Sequence, residues 1–399
     1  MTTKDVTAAR NSASAKKLLI YSHFFAPSVG GVETLVLSLA RGLAGLRTTS
    51  GNPEFEITLA TQTPADKSDD ESLPFRIFRQ PNLIQLWDLI RASNVVHVAG
   101  PALAPVILGL LARKPVVIEH HGFQTICPNG QLLIEPAGTP CPGHFMAGQH
   151  DECLRCNSGQ GWLASCKLWL LTFVRRFLCR RVSSNITPTA WLGELVRLPR
   201  IIAIPHGLEV IAPLAHPAST SRPPVIAFQG RLVTTKGVVV LLEAARLLVE
   251  QNRDFKLLVI GDGPERTSLE RLSQEAALAG RVRFVGRLQG SALEVALADA
   301  SIAVVPSLGG EVFGLVVAEN MSRGLPVVTS DLGAFVEVLG KGGVTFRTGD
   351  AVDLARELSR IFDDPALAAR LGPSARQRAL EFCDFRRMLE AHASVYRKI

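Results

Sequence analysis

The sequence predicts an α/β fold of two Rossmann-like, doubly wound domains, on three observations. Short runs rich in β-branched residues alternate with longer segments of helical period, the pattern of parallel sheets covered by helices on both faces. The alternation occurs in two series separated by a Pro-, Ala- and Ser-rich stretch. The chain has 399 residues, 47% of them hydrophobic, which is more than a single core usually supports.

The first series predicts strands at residues 17–21, 55–60, 75–78, 95–98, 116–119 and 184–187. The second predicts them at 225–228, 256–260, 283–285, 302–305, 327–329 and 343–346, with helical patterns such as 239–250 between them. Residues 206–224 read as a linker. The expected organisation is a disordered lead-in at 1–15, a first domain over 16–205 and a second over 225–380. A Cys-rich insert interrupts the first domain at about 123–166, and a final helix within 381–399 returns to that domain.

Composition narrows the ligand class. A formal net charge of +7 suits anionic ligands or an anionic membrane surface. Nucleic acid is not expected: aromatics are 6% and Lys and Arg are scattered, so neither a stacking platform nor a basic stripe forms. Residues 1–15 carry no apolar signal region, and the apolar stretch 101–111 is too short to span a bilayer and holds two prolines. A soluble, cytoplasmic protein is expected. Six of the seven cysteines fall between Cys127 and Cys179, which fits thiols or a metal site in a reducing compartment.

Gly30 and Gly31 follow the first strand and open a helix over 33–46, where bare backbone amides can approach a phosphate or a sugar. A plain connecting turn has the same appearance. In the second series, Gly230 ends a strand and places Arg231 and Lys236 beyond its carboxyl edge, where doubly wound sheets bind ligands. A guanidinium and an ammonium there can grip a diphosphate and offset the charge that develops as it leaves. Gly261, Asp262, Gly263 and Pro264 form a turn at the same edge.

The most informative stretch follows the strand at 302–305. A helix is expected over 313–323, ended by Gly324 with Pro326 behind it. Amides at Phe313, Gly314 and Leu315 can then bind phosphate oxygens. Glu311 sits at the helix start and Glu319 about two turns in, placed for sugar and ribose hydroxyls respectively. Glu319 lies among Val316, Val317, Ala318 and Met321, where an unpaired carboxylate is costly.

The order of these pieces, namely Gly30–Gly31, His121–Gly122, Gly230–Arg231 with Lys236, Gly261–Pro264, and Glu311 through Glu319 to Val328, resembles the retaining glycosyltransferases of family 4. The resemblance runs from about Lys17 to the final helices and implies the GT-B fold, two Rossmann-like domains facing a central cleft. It implies an acceptor-side first domain, a second domain binding a nucleotide diphosphate sugar, and a sugar or lipid-linked acceptor in polysaccharide or glycolipid assembly. It further implies that Arg231 and Lys236 hold the diphosphate, that Glu311 and Glu319 hold donor sugar and ribose, and that His121 lies near the reacting centre. No cofactor is required for catalysis on this reading. Two alternatives stay open: a noncatalytic sugar-nucleotide-binding protein, and a nucleotide-sugar epimerase of the same fold.

The insert after His121 departs from the commonest family pattern. Cys127, Cys141 and the pair Cys153 and Cys156 can supply four thiolates to a structural zinc, with Cys166 as a substitute ligand. Free thiols in a packed loop are the alternative. Residues 167–181 alternate Trp169, Leu170, Phe173, Phe177 and Leu178 with Lys167, Arg175, Arg176, Arg180 and Arg181. That pattern suits peripheral contact with the inner face of a membrane, or a helix packing its apolar stripe on the first domain.

Overall fold

The computed structural model describes residues 15–27, 30–65, 70–209, 211–214, 223–275 and 277–399. The expected lead-in lies outside the described residues except for Ala15, as does much of the expected linker. The chain divides into two compact units, Met1–Val117 with Ile399, and Ile118–Lys398.

The first unit contains β1 (Lys16–Ser22), α1 (Gly31–Gly45), β2 (Phe55–Thr61), β3 (Arg76–Arg79), α2 (Leu83–Ala92), β4 (Val95–Ala99), α3 (Leu103–Leu111) and the start of β5 (Val116–Glu119). The strand order is β3-β2-β1-β4-β5. β1 pairs in parallel with both β2 and β4, so the chain reverses its winding direction beside β1. All five residues of β4 are buried, as a strand covered on both faces requires. Asn82 and Gln85 form a reciprocal capping box at the start of α2, which satisfies two amides the helix cannot.

The second unit begins with the end of β5 and the insert, which contains the two-residue hairpin strands β6 (Leu133–Ile134) and β7 (Thr139–Pro140) and α4 (His150–Cys156). α5 (Trp162–Cys179), β8 (Ser184–Thr187), α6 (Ala190–Val196) and β9 (Ile201–Ala203) follow. Then come β10 (Val225–Gln229), α7 (Val238–Glu250), β11 (Lys256–Ile260), α8 (Arg266–Ser273), β12 (Val282–Gly286), α9 (Gly290–Leu297) and β13 (Ile302–Val305). The unit ends with α10 (Leu315–Ser322), β14 (Val327–Ser330), α11 (Gly333–Leu339), β15 (Val344–Phe346), α12 (Ala351–Asp363), α13 (Pro365–Phe382) and α14 (Phe385–Lys398).

The six strands β10–β15 form a parallel sheet in the order β12-β11-β10-β13-β14-β15. Alternation along the strands feeds two cores. Ile226, Phe228, Val259, Val304 and Val328 pack toward α7 and α12, whereas Ala227, Ile260, Ala303, Val305 and Val327 pack toward α10, α11 and α13. Between β10 and β13 the winding reverses, which leaves a crevice beyond their carboxyl ends.

Specific bonds tie the segment 184–203 to this sheet. Thr189 caps α6 and donates a hydrogen bond to the carbonyl of Val312 at 3.1 Å. The Glu337 carboxylate accepts from the amides of Ala190 and Trp191 at 2.8 Å each, an external cap for the same helix. Residues 206–208, the start of the stretch read as a linker, are packed: a Cβ on Gly207 would lie 2.5 Å from Cα of Phe385, and the Leu208 amide donates to the carbonyl of Cys383 at 2.8 Å.

Candidate active site

The candidate residues divide between the units. Gly30 and Gly31 lie in the first, at the N-terminus of α1, where Gly30 is extended and a Cβ would meet the Glu33 carboxylate. The others lie in the second.

Gly230, Arg231 and Lys236 follow β10, and Glu311 follows β13, so all four sit where the strand order reverses. Arg231 is exposed, and its guanidinium makes no hydrogen bond or ion pair among the described residues. Lys236 ends a single 3₁₀ turn, Thr234–Lys236, and Gly237 then enters α7 in a left-handed conformation with φ 64°. A Cβ at Gly237 would stand 2.0 Å from the carbonyl oxygen of Pro306, so only glycine lets α7 start this close to the end of β13. The result is contact: Nζ of Lys236 lies 2.5 Å from Oε1 of Glu311, which also accepts from the Ser307 hydroxyl at 3.0 Å.

Gly314 caps α10 with φ 94°, and a Cβ there would lie 2.6 Å from the Phe335 ring. The helix therefore starts at Leu315 rather than Phe313, and Glu319 stands one turn in rather than the two turns expected. The amides of Phe313, Gly314 and Leu315 donate no hydrogen bond among the described residues, leaving three donors at a helix N-terminus. The Phe313 side chain itself is core. Glu319 is partly buried; its Oε2 accepts from Nε2 of Gln229 at 3.1 Å and faces Arg323 at 3.9 Å. Burial pushes its pKa up, and Arg323 opposes the shift. Gln229 is the residue before Gly230, so Glu319 is held at the same strand end as the basic pair.

His121 stands in a second cluster that the sequence reading missed. Its Nε2 lies 3.7 Å from Oε2 of Glu119, a carboxylate that is 1% exposed. His206 approaches Glu119 at 3.7 Å and His392, on α14, at 3.6 Å. His206 also carries the cluster toward the helix α10 loop, with its ring 5.5 Å from that of His121 and 4.8 Å from that of Phe313. Burial lowers the His206 pKa to about 3, with Glu119 opposing, and buried Tyr396 is raised well above its usual value. His120 points away, hydrogen-bonded to Asn185 at 3.0 Å, with burial lowering its pKa to about 4. The donor atoms of Glu119, His121 and His206 lie within 4.8 Å of one another, close enough to hold a cation.

In the insert, Cys127 and Cys153 are buried and Cys141 and Cys156 half-buried. Burial pushes the Cys153 thiol up to about 12, and the sulfurs of Cys127, Cys141 and Cys156 push the same way.

Comparison with known proteins agrees with this architecture. The family described as "Glycosyl transferases group 1" matches residues 215–378. The chain is similar to the 2-deoxystreptamine glucosyltransferase of Streptomyces kanamyceticus, 31% identical over 49% of this chain, and spans 56% of that relative's length. It is 35% identical to the MMP alpha-(1->4)-mannosyltransferase of Mycolicibacterium hassiacum, over 92% of this chain and 95% of the relative. Among solved structures, Alr3699/HepE of Anabaena in complex with UDP-glucose superposes with a TM-score of 0.71 at 17% identity, over 96% of this chain and 100% of that one. With the GT-B fold and a relative matched along nearly its whole length, the chain belongs to the glycosyl transferases group 1 family.

Proposed function

We propose that this protein is a retaining glycosyltransferase, moving a sugar from a nucleotide diphosphate sugar to an acceptor hydroxyl in polysaccharide or glycolipid assembly. The observation that carries the reading is the meeting of Arg231, Lys236, Glu311 and Glu319 at the reversal between β10 and β13. Open crevices at such reversals receive nucleotides, and a basic pair beside three unused amides suits a diphosphate. The structural neighbour holding UDP-glucose supports the same ligand class.

In this mechanism the bond between the anomeric carbon and the diphosphate oxygen breaks while the acceptor oxygen approaches the same face of the sugar. The departing diphosphate oxygen takes the acceptor's proton, so no protein carboxylate pair of the glycosidase kind is needed. Arg231, Lys236 and the amides at Phe313, Gly314 and Leu315 offset the charge growing on the leaving group. Glu311 orients the sugar, Glu319 the ribose, and His121 a sugar hydroxyl, with Glu119 fixing the imidazole from behind. A donor screen read by mass spectrometry, with free and lipid-linked sugar acceptors, tests the reading. Acceptor-independent conversion of the donor would favour an epimerase; binding with no conversion of any donor would favour a sugar-nucleotide sensor.

The place of action we propose is the cytoplasmic face of a membrane. No helix among the described residues is long and apolar enough to cross one. α5, however, turns Ser165, Thr172 and Cys179 inward and leaves Trp162, Leu163, Leu170, Phe173 and Phe177 exposed beside Lys167, Arg180 and Arg181. An apolar stripe bordered by cations suits an anionic interface. Co-sedimentation with vesicles containing phosphatidylglycerol, lost on Leu163→Asp with Leu170→Asp, is the expected result. Failure of the native chain to bind such vesicles would refute it.

A further inference from the structure

The insert brings four cysteines together by three local devices. A turn at 123–127 presents Cys127, whose carbonyl accepts from the Gly130 amide at 3.0 Å. Leu132, at φ 50°, turns the chain into the β6–β7 hairpin, and the hairpin returns Cys141 so that its amide donates to the Leu132 carbonyl at 2.8 Å. α4 then offers Cys153 and Cys156 three residues apart, on one face of the helix.

Asn129 joins the two ends: Cys127 donates to its Oδ1 at 2.9 Å, and its Nδ2 donates to the Cys156 sulfur at 3.5 Å. The Glu135 amide also donates to that sulfur, at 3.3 Å. Cys153 lies within electrostatic reach of the other three. Cys166 sits on α5.

Amide groups aimed at the Cys156 sulfur are the outer donors that a metal-bound thiolate uses, and four cysteines gathered at one end of the insert suit a tetrahedral cation. The segment has little core of its own: two two-residue strands and one seven-residue helix span Leu133 to Cys156. A metal would supply the folding energy that a core does not.

We propose that Cys127, Cys141, Cys153 and Cys156 bind one structural zinc ion as four thiolates, and that the closed insert braces the loop leading to Glu311. The ion displaces the thiol protons as it binds. The four sulfurs do not meet the 4.8 Å spacing that the donors of Glu119, His121 and His206 do, so binding requires the cysteine side chains to rotate onto the ion. The brace is direct. The Gly310 amide donates to the Gln131 carbonyl at 2.6 Å, and a Cβ on Gly309 would lie 2.9 Å from the same oxygen. On the far side, Gly138 abuts the Thr234 methyl, in the turn that carries Lys236. The metal assignment stands apart from the donor-site reading; only the purpose of the brace rests on it.

The test uses the full chain purified without chelator. Elemental analysis is expected to find about one zinc per chain, and cobalt substitution to give thiolate-to-metal charge transfer with tetrahedral d–d bands. Thiol titration of the native chain should gain four reactive groups when a chelator is added. Cys153→Ser with Cys156→Ser should cut the zinc content at least tenfold, whereas Cys166→Ser and Glu119→Gln should keep it. Hydrogen exchange across residues 307–313 should quicken when zinc is removed. A zinc-free native chain with all four thiols reactive overturns the site. Zinc lost on Glu119→Gln but kept by the double cysteine variant moves the ion to the histidine cluster and overturns it equally. Zinc present with unchanged exchange at 307–313 refutes the brace.

Discussion

Replacing each glutamate of the β13–α10 segment by glutamine separates two roles that the geometry keeps apart. Glu311 touches Lys236 at 2.5 Å and Ser307 at 3.0 Å, and the two charged side chains are 12% and 25% exposed. A diphosphate that takes Lys236 competes with Glu311 for the ammonium, and a charged hydrogen bond of this kind is worth about 1.5–3 kcal/mol. Glu311→Gln removes that competitor. Nucleoside diphosphate affinity should hold or tighten by up to about tenfold, which is about 1.4 kcal/mol, while turnover with the intact donor falls because the sugar loses its anchor. Glu319 is held by Gln229 on the ribose side of the proposal and does not touch Lys236. Glu319→Gln should weaken donor and nucleoside diphosphate alike, by about 1–3 kcal/mol. Calorimetric titration of nucleoside diphosphate, beside initial rates with donor, reads both effects. Equal loss of diphosphate affinity in the two variants would refute the division of labour.

Arg231→Ala and Lys236→Ala should each lower turnover by about a hundredfold or more, because the charge they offset is realised in the transition state; near-normal rates in both would remove them from the reaction. Gly314→Ala should cost about 2 kcal/mol or more, since φ 94° is strained for alanine and its Cβ would meet the Phe335 ring, and an unchanged urea midpoint would contradict this. His120 has its folded pKa lowered from 6.5 to about 4 by burial, so the unfolded chain binds the proton first as pH falls. Its contribution to stability is complete above about pH 6.5 and is lost toward pH 4, by about 3 kcal/mol in all. Urea unfolding of wild type and His120→Gln between pH 7 and 4.5 should show a flatter slope in the variant, and equal slopes would argue against a neutral buried imidazole.

Much of this was legible in the sequence because parallel strands buried on both faces announce themselves as apolar runs. Val116–Glu119, Ser184–Thr187, Lys256–Ile260 and Ile302–Val305 match expectation to the residue, and the other expected strands within one. β6 and β7 were missed because two-residue strands carry no period, and β9 because Ile201–Ala203 offers three residues beside prolines and arginines. The start of α10 differs from the expected one because the left-handed conformation of Gly314 leaves no periodic signal in the sequence.

At the site, Arg231, Lys236, Glu311 and Glu319 follow strands or helix starts and could be found by position. Glu119, His206 and His392 could not, since they lie far apart in the chain and meet only in the fold. One signal was present: a carboxylate closing the buried run Val116–Glu119 costs too much to stand without partners.

The proposed reaction is transfer with retention from a nucleotide sugar at the reversal between β10 and β13. Proton NMR of the first product formed by wild type, on the donor and acceptor that the screen selects, tests it most directly. An α-linked product from an α-linked donor is expected, with nucleoside diphosphate released in step with it and both lost together in Lys236→Ala. An inverted product, or full transfer by Lys236→Ala, would contradict it.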